Sequence, residues 1–336
     1  MRAMVLDRPG PVETSPLMER DVPIPEPGAG EVLVRVQVCG VCRTDLHVVE
    51  GELPPHKQPV IPGHMAVGTV EKAGPGASRF KQGDRVGAAW LHATDGTCEY
   101  CRRGDENLCD SPTFTGYDAD GGYAEFTLAR EGFAYDLPAG VDDATLAPLL
   151  CAGIIGYRAL KRSEVKPGER LGLYGFGASA HIVIQIALHW GCEVYVSSRD
   201  PKHQKLARDM GARWVGSDKD TPPEKLNAAI LFAPVGHLVP AIMESLDKGG
   251  ACAIAGIYLT DIPTLNYERH LFQERTLCSV TANTREDGQE LMRLAAEVPL
   301  RAHRQEFPLE QANEALRRLK HDEISGAAVL RVRGPS

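Results

Sequence analysis

The sequence has no excess of positive charge and no long apolar run. It contains 37 Lys and Arg against 45 Asp and Glu, a formal net charge of −8 over 336 residues. This sign disfavours binding of nucleic acid or of an anionic membrane surface through bulk charge. No stretch approaches the roughly 20 apolar residues that span a bilayer, and the first ten residues lack the apolar core of a secretory signal. The sequence therefore predicts neither a nucleic-acid nor a membrane partner, and a cytoplasmic location.

The cysteines cannot all be paired in disulfides, because their number, nine, is odd. Five of them form two tight groups, Cys39 with Cys42 and Cys98 with Cys101 and Cys109. In a reducing compartment such groups indicate thiolate metal ligands before disulfides. The pair Cys39 and Cys42, taken alone, is equally compatible with two buried thiols.

The length exceeds what one hydrophobic core usually holds and favours two domains or one large elaborated domain. Residues 1–150 are rich in Gly and Pro and contain short alternating runs at 32–38 and 68–72, which are typical of strands. We expect a β-rich first domain there.

From residue 151 to 285 the pattern changes to short apolar strands separated by helix-length amphipathic segments. The predicted strands are 170–174, 193–196, 228–232 and 251–255. Such alternation predicts an α/β domain with a doubly wound parallel sheet. Residues 286–336 are expected to form helices at 290–297 and 309–321 and a last strand at 327–332, and to return to the first domain.

One motif concentrates potential metal ligands: Cys39-Gly-Val-Cys42-Arg-Thr-Asp-Leu-His47, followed by Gly63-His64-Met65 and, far downstream, Cys151-Ala-Gly. A thiolate pair near one histidine, with a further His and Cys elsewhere, suits a zinc site with three protein ligands and one open position.

These motifs resemble those of the zinc-dependent, medium-chain alcohol dehydrogenases, and the resemblance extends over nearly the whole chain. It implies that Cys42, His64 and Cys151 bind a catalytic zinc, while Cys39 is a structural thiol. It also implies a GroES-like catalytic domain and a Rossmann cofactor domain. Met65 stands where the family has a glutamate near the zinc, a change that bears on ligand exchange and not on zinc binding.

Three further residues around this motif have predicted roles in proton transfer and positioning. Zinc with two thiolates and a neutral imidazole acidifies an alcohol in its open position. Asp45 is placed to orient a ligand imidazole, or is simply a turn-forming residue. Thr44 can pass the alcohol proton to His47, which can deliver it to solvent, as the family's relay implies.

A second group, Asp95, Cys98, Cys101 and Cys109, has the spacing of the structural zinc lobe of the same family, at about residues 92–112. The family usually has four cysteines there, and Asp95 takes the first position. A carboxylate oxygen binds zinc at about 2.0–2.2 Å, so this ligand set is acceptable. The alternative is a metal-free lobe with three free thiols.

Gly175-Phe-Gly177-Ala-Ser-Ala180 lies between a predicted strand and a predicted helix. In that context it is typical of a pyrophosphate-binding turn, in which two glycines permit a sharp turn and a close approach and Ala180 permits close packing. A tight turn without a ligand is the alternative. Arg43 matches the family's pyrophosphate-binding position and is otherwise a solvated loop arginine.

The end of the second strand of this domain decides which nicotinamide nucleotide is preferred. NAD-binding relatives have an acidic residue there, and this chain has Ser198 followed by Arg199. A hydroxyl and a cation favour the 2′-phosphate of NADP(H) over NAD(H). Asp200 is either a turn or cap residue or a displaced ribose ligand.

The sequence thus predicts a zinc-dependent oxidoreductase that interconverts alcohols and aldehydes or ketones with NADP(H). The rivals are a zinc-free quinone or enone reductase and a non-catalytic zinc- or nucleotide-binding protein. The resemblance places Trp90 and Leu91 at an apolar substrate pocket, with Ile155 where relatives have a smaller or polar residue, although core packing explains these residues equally well. It also implies a homo-oligomer, a dimer or a tetramer.

Overall fold

A computed structural model describes residues 1–53 and 56–333. The chain divides into two compact units: unit 1 comprises Met1–Ala152 and Ala282–Ser336, and unit 2 comprises Gly153–Thr281. No helix within the described ranges is both long enough and apolar enough to cross a bilayer.

Strands and helices are numbered separately, each in chain order. The strands are β1 (Arg2–Leu6), β2 (Leu17–Asp21), β3 (Glu31–Val41), β4 (Ala66–Ala73), β5 (Arg85–Ala88), β6 (Leu91–Ala93), β7 (Thr113–Phe114), β8 (Phe126–Arg130), β9 (Tyr135–Asp136), β10 (Arg170–Tyr174), β11 (Glu193–Ser197), β12 (Trp214–Gly216), β13 (Leu226–Leu231), β14 (Leu246–Ile254), β15 (Thr276–Ser279), β16 (Arg304–Pro308) and β17 (Ala327–Arg331). The α-helices are α1 (Arg43–Glu50), α2 (Glu99–Arg102), α3 (Asp143–Pro148), α4 (Ile154–Arg162), α5 (Ala180–His189), α6 (Pro201–Asp209), α7 (Val239–Ser245), α8 (Tyr267–His270), α9 (Arg285–Glu297) and α10 (Ala312–Lys320). A π-helical turn covers Leu149–Gly153.

Unit 1 is built on a seven-stranded sheet of order β16-β17-β3-β4-β5-β9, in which β8 also pairs with β3. The central strand β3 is rich in valine, a residue that fits a pleated, buried surface, and Val32, Val34 and Val36 are fully buried. β3 and β4 are antiparallel, with Cys39 paired to Ala66. The residues just after β3 and just before β4 therefore leave the same end of the sheet.

Unit 2 contains a six-stranded parallel sheet of order β12-β11-β10-β13-β14-β15. Its apolar strands are buried as such a sheet requires, since Leu171, Leu173 and Val196 are all fully inaccessible. The strand order reverses between β10 and β13, and ligands bind at the carboxyl ends of the strands beside such a reversal. The predicted fold class, a β-rich GroES-like unit with a doubly wound Rossmann unit, is confirmed.

Several elements differ from the sequence-based expectation. The short strands β12 and β15 were not predicted, because three or four residues carry too little periodicity. Helix α9 begins five residues before the predicted helix at 290–297, since Thr284 and Asp287 form a capping box. The predicted helix at 309–321 is divided into a 3-10 turn, Leu309–Gln311, and α10.

Candidate metal centre and cofactor site

Cys42, His64 and Cys151 come together in unit 1, with their candidate ligand atoms all within 4.8 Å of one another. Cys42 directly follows β3 and caps α1, and His64 lies two residues before β4, so the β3–β4 pairing brings them to one place. The Cys42 Sγ lies 3.3 Å from the His64 Nε2. Cys151 lies on the π-helical turn, a feature that is frequent at functional sites.

Asp45 connects two parts of this centre. Its Oδ1 lies 3.0 Å from the His64 Nδ1, and its Oδ2 accepts the Cys42 backbone N–H at 2.9 Å. Asp45 and His64 are only 2% and 1% exposed. Asp45 therefore caps the first turn of α1 and also contacts the imidazole. A proton on Nδ1 directs the other ring nitrogen of His64 towards the thiols.

The electrostatics of the centre favour one thiolate. The pKa of Cys42 lies well below its ordinary value, chiefly because it accepts a hydrogen bond from Cys151 and also because His64 is close, although burial opposes this. The pKa of Cys151 is correspondingly raised, by the same hydrogen bond and by burial. Burial by itself lowers the pKa of His64, but the charges of Asp45 and Cys42 outweigh it and raise that pKa. A bound cation would replace the protons that these groups share.

Cys39 and Met65 have a different environment. Cys39 is fully buried, and burial raises the pKa of its thiol well above the usual range. Met65 is also buried and packs on Gly40, where an added Cβ would lie 2.8 Å from the Met65 Cε. The residue after His64 therefore presents apolar atoms, with no carboxylate, to its surroundings.

Of the two predicted pocket residues in unit 1, Trp90 lies beside the centre. Its ring contacts His64 edge-on at a centroid distance of 5.0 Å and stacks on Phe114 at 4.7 Å. Leu91 is buried at the start of β6. The third, Ile155, lies on α4 of unit 2 and is partly exposed.

Helix α1 carries the remaining predicted residues of the centre. Thr44 donates its backbone N–H to the Cys42 Sγ at 3.3 Å, and His47 lies three residues further on the same helix face. The His47 Nδ1 hydrogen-bonds to Glu52, a residue that no sequence motif singled out. Arg43 is exposed and pairs with Asp322 at 2.5 Å. The Arg43 side chain is therefore exposed but held in an ion pair.

The second group also converges, since the ligand atoms of Asp95, Cys98, Cys101 and Cys109 lie within 4.8 Å of one another. The Asp95 Oδ1 accepts the backbone N–H groups of Thr97 and Cys98 at 2.7 and 2.8 Å, and these bonds hold the pKa of Asp95 far below its usual range. Its Oδ2 is left facing the Cys109 Sγ at 3.2 Å. One carboxylate oxygen and three sulfur atoms form a donor set that zinc accepts.

In unit 2, the two glycines of the turn after β10 differ in their surroundings. Gly175 has a φ of +93°, and a Cβ there would lie 2.8 Å from the Ala233 nitrogen. A Cβ on Gly177 would meet no heavy atom of the described chain within 4 Å. Ala180 opens α5 and is fully buried, and no described side chain caps this helix. The turn is therefore sharp at Gly175 and open at Gly177, and it leads into a helix start without a side-chain cap.

The residues after β11 lie at the carboxyl edge of the same sheet. Ser198 is buried and donates its backbone N–H to the Gly216 carbonyl, while Arg199 is exposed. The Asp200 Oδ1 accepts the Lys202 N–H at 2.7 Å at the start of α6. Of the two roles considered for Asp200, the structure shows the helix cap.

The comparisons with known proteins agree with this geometry. Residues 28–139 match the alcohol dehydrogenase GroES-like domain, and residues 180–297 match the zinc-binding dehydrogenase family. A Mycobacterium tuberculosis protein named "Probable alcohol dehydrogenase AdhA" is 55% identical over 335 residues, which are 98% of this chain and 97% of that protein. The chain belongs to the zinc-type medium-chain alcohol dehydrogenase family. The predicted family is thereby confirmed.

Solved structures of this family superpose over nearly the full chain. A cinnamyl alcohol dehydrogenase from Sorghum bicolor has a TM-score of 0.89 at 25% identity, covering 100% of this chain and 98% of its own. A cobalt- and zinc-bound alcohol dehydrogenase from Pyrobaculum aerophilum has a TM-score of 0.88 at 26% identity, covering 98% and 99%. The protein is thus an oxidoreductase, as predicted, and family membership supports zinc and a nicotinamide nucleotide as cofactors and a small-molecule alcohol as substrate.

Proposed function

We propose that this protein is a zinc-dependent dehydrogenase that interconverts alcohols with aldehydes or ketones, using NADP(H). One observation carries the proposal: two thiols and an imidazole from three separate segments, Cys42, His64 and Cys151, bring their ligand atoms within 4.8 Å of one another. Zinc in catalytic sites takes three such ligands and keeps a fourth position open. Met65 leaves this ligand set intact, and the exchange of the fourth ligand then proceeds without help from a neighbouring carboxylate.

We assign the domains close to the boundaries expected from the sequence. Residues 1–150 and 286–336 form the catalytic domain, and residues 151–285 form the cofactor domain. The assignment is supported by the division of the chain near residues 152 and 281, which leaves the candidate metal ligands in unit 1 and the Gly175 turn in unit 2.

The chemistry divides among the side chains as follows. Zinc, when bound, acts as a Lewis acid that makes the alcohol hydroxyl acidic. Asp45 keeps a proton on the Nδ1 of His64 and so fixes the ring. The Thr44 hydroxyl takes the alcohol proton and His47 releases it to solvent. A nicotinamide nucleotide held at Gly177, Ser198 and Arg199 would accept the hydride, with its electron pair, from the carbinol carbon, so that a carbonyl product would be left. The reverse sequence reduces an aldehyde or ketone.

The lobe formed by Asp95, Cys98, Cys101 and Cys109 is proposed to hold a second, structural zinc. The orientation of Asp95 supports this role, because one oxygen is used by backbone N–H groups and the other faces a cysteine sulfur. Four protein ligands close the coordination shell, which is typical of a structural site.

Three features support nucleotide binding with a preference for NADP(H). The open space at Gly177 and the uncapped start of α5 suit a pyrophosphate. Ser198 and the exposed Arg199 suit a 2′-phosphate, and Asp200 is already used as a helix cap. Arg43, which pairs with Asp322, is proposed to be a further cofactor-binding residue.

For the substrate, we propose aliphatic or aromatic primary alcohols. The support is the aromatic surface beside His64, where the Trp90 ring stacks on Phe114 and its centroid lies 6.0 Å from that of Tyr117. Such a surface favours apolar groups on the carbinol carbon.

We also propose that the protein is a homo-oligomer, a dimer or a tetramer. We propose a cytoplasmic location for it. Unit 2 has an edge strand, β15, and a group of exposed apolar side chains that a second copy could cover: Ile257, Tyr258, Ile262, Tyr267 and Phe272. All nine cysteines are free thiols, as expected in a reducing compartment. Light scattering of the purified protein tests the oligomer, and a monomer at all concentrations would contradict it.

One experiment tests the function as a whole: alcohols and aldehydes are assayed with both nucleotides while zinc is quantified in the same sample. The proposal expects turnover that follows the zinc content and is faster with NADP(H). Turnover that persists after zinc removal would instead support the quinone or enone reductase, and bound zinc without any hydride transfer would support a non-catalytic protein.

A further inference from the structure

Tyr123 is a large, fully buried side chain of unit 1, and its hydroxyl makes no hydrogen bond of standard geometry within the described residues. A buried hydroxyl without a partner is unfavourable, and a phenylalanine would fill the same space without that cost. The position of this oxygen therefore needs an explanation.

The ring of Tyr123 is fixed against the turn that carries His64. Gly63 has a φ of +97°, and a Cβ there would lie 2.3 Å from the Tyr123 Cδ1. The backbone N–H of Tyr123 donates to the Pro62 carbonyl at 3.0 Å, and that of Gly122 donates to the Gly63 carbonyl at 2.8 Å. Any motion of this ring would thus displace the residue next to the candidate ligand.

The hydroxyl lies near the negative groups of the metal centre. Burial raises the pKa of Tyr123, and the charges of Asp45, Cys39 and Cys42 and the closeness of its hydroxyl to the Asp45 carboxylate raise it further. Among these, a carboxylate is the strongest acceptor. Each Asp45 oxygen has one donor, His64 or the Cys42 backbone, and each retains a second lone pair. A buried carboxylate that needs donors thus faces a buried hydroxyl that needs an acceptor.

We propose that Tyr123 is a positioning residue whose hydroxyl donates to Asp45 and thereby fixes the carboxylate that orients His64. The inference rests on the proposed metal site, because the orientation of His64 matters only if its ring binds a metal. Groups that hold a ligating histidine in place usually change metal affinity by 10–100-fold when they are removed.

The test compares Y123F, which removes only the hydroxyl, with Y135F. Tyr135 is a matched control, since it is also buried in unit 1 but its hydroxyl accepts a hydrogen bond from Asn283 at 3.3 Å. Zinc and cobalt affinities are measured by competition with a chromophoric chelator, and the visible spectrum of the cobalt-loaded protein reports the geometry of the centre. We expect Y123F to bind metal about tenfold more weakly with an altered cobalt spectrum, and Y135F to match the unaltered protein.

A double variant identifies the path through Asp45. If Tyr123 acts through that carboxylate, Y123F has no additional effect on metal affinity in a D45N background. Unchanged affinity and spectrum in Y123F, or equal losses in both backgrounds, would overturn the inference. The metal content of the unaltered protein separates the two proposals: if it binds no zinc at Cys42, His64 and Cys151, the proposed function fails first.

Discussion

The Asp45 Oδ1 and the His64 Nδ1 lie 3.0 Å apart in a part of unit 1 that water barely reaches. A buried carboxylate is unfavourable without donors, and this one has the imidazole and the Cys42 N–H. The contact favours a proton on the Nδ1 of His64, while the Nε2 of the ring faces the Cys42 Sγ. The carboxylate that caps the first turn of α1 thus also contacts the imidazole.

Cys42 and Cys39 provide a test of the ligand assignment. Cys42→Ala should remove the catalytic zinc and turnover together, because two ligands cannot retain the metal. Cys39→Ala should keep zinc and activity but lower the free energy of unfolding by about 1 kcal/mol, since only a buried contact is lost. Metal analysis and urea unfolding check both variants. Full activity in Cys42→Ala would show that the assignment is wrong.

The lobe should hold one of two zinc ions in each chain. Asp95→Ala should reduce the zinc content from two to one, whereas Asp95→Cys should keep two, because a thiolate replaces the carboxylate. Asp110→Asn, at an exposed aspartate directly after Cys109, is the matched control and should also keep two. Mass spectrometry under native conditions counts the ions. A single zinc in the unaltered protein would show that the lobe is empty.

The two glycines of the nucleotide turn should respond differently to alanine. Gly175→Ala should destabilise the protein by more than about 1 kcal/mol, because the backbone there has a positive φ and a Cβ would contact Ala233. Gly177→Ala should leave the melting temperature unchanged but weaken nucleotide binding, since its Cβ would fill open space. Calorimetry and fluorescence titration measure the two effects. Equal nucleotide affinity in Gly177→Ala would argue against a pyrophosphate at this turn.

Nucleotide preference should depend on Ser198 and Arg199. Charge-assisted hydrogen bonds contribute about 1.5–3 kcal/mol, or about one to two powers of ten in affinity. Arg199→Ala should therefore weaken NADPH binding far more than NADH binding, and Ser198→Asp should shift the preference to NADH. The values of kcat/KM with both nucleotides decide the matter. A higher value with NADH in the unaltered enzyme would contradict the assignment.

The proton relay has a pH signature. His47→Ala should slow alcohol oxidation more at low pH than at high pH, where hydroxide takes the proton without help. Glu52→Gln should cause a smaller loss in the same direction, because Glu52 contacts the Nδ1 of His47 and holds its ring. Rate profiles across neutral pH measure both. An equal loss at every pH would leave His47 with a positional role only.

The features that the sequence predicted are those that a short stretch of residues determines. Apolar alternation marked β3 and the parallel strands, and the resemblance of short motifs to those of a known family marked Cys42, His64 and Cys151 as candidate ligands. The lobe of Asp95, Cys98, Cys101 and Cys109 was predicted in the same way, since its four residues lie close together in the sequence.

Contacts between distant segments were not predictable in this way. The pairing of Arg43 with Asp322 and the packing of Tyr123 on Gly63 depend on how strands are arranged, which no local pattern encodes. Glu52 belongs to no motif, and its contact with His47 depends on the turn at Gly51, directly after α1. The early start of α9 is a different case, since its capping box was present in the sequence and was missed.

The position of β17 in the sheet determines when strand β3 can complete its pairing during translation. Val329 pairs with Gly40, so the strand that pairs with the Val38–Val41 end of β3 is translated only after all of unit 2. At ordinary synthesis rates this interval lasts roughly 15–60 s, during which that end of β3 lacks its β17 partner, although β8 already pairs with Glu31–Arg35. Unpaired strand edges promote aggregation. An N-terminal fragment that ends before β16 would therefore leave one end of β3 unpaired, and we expect it to aggregate.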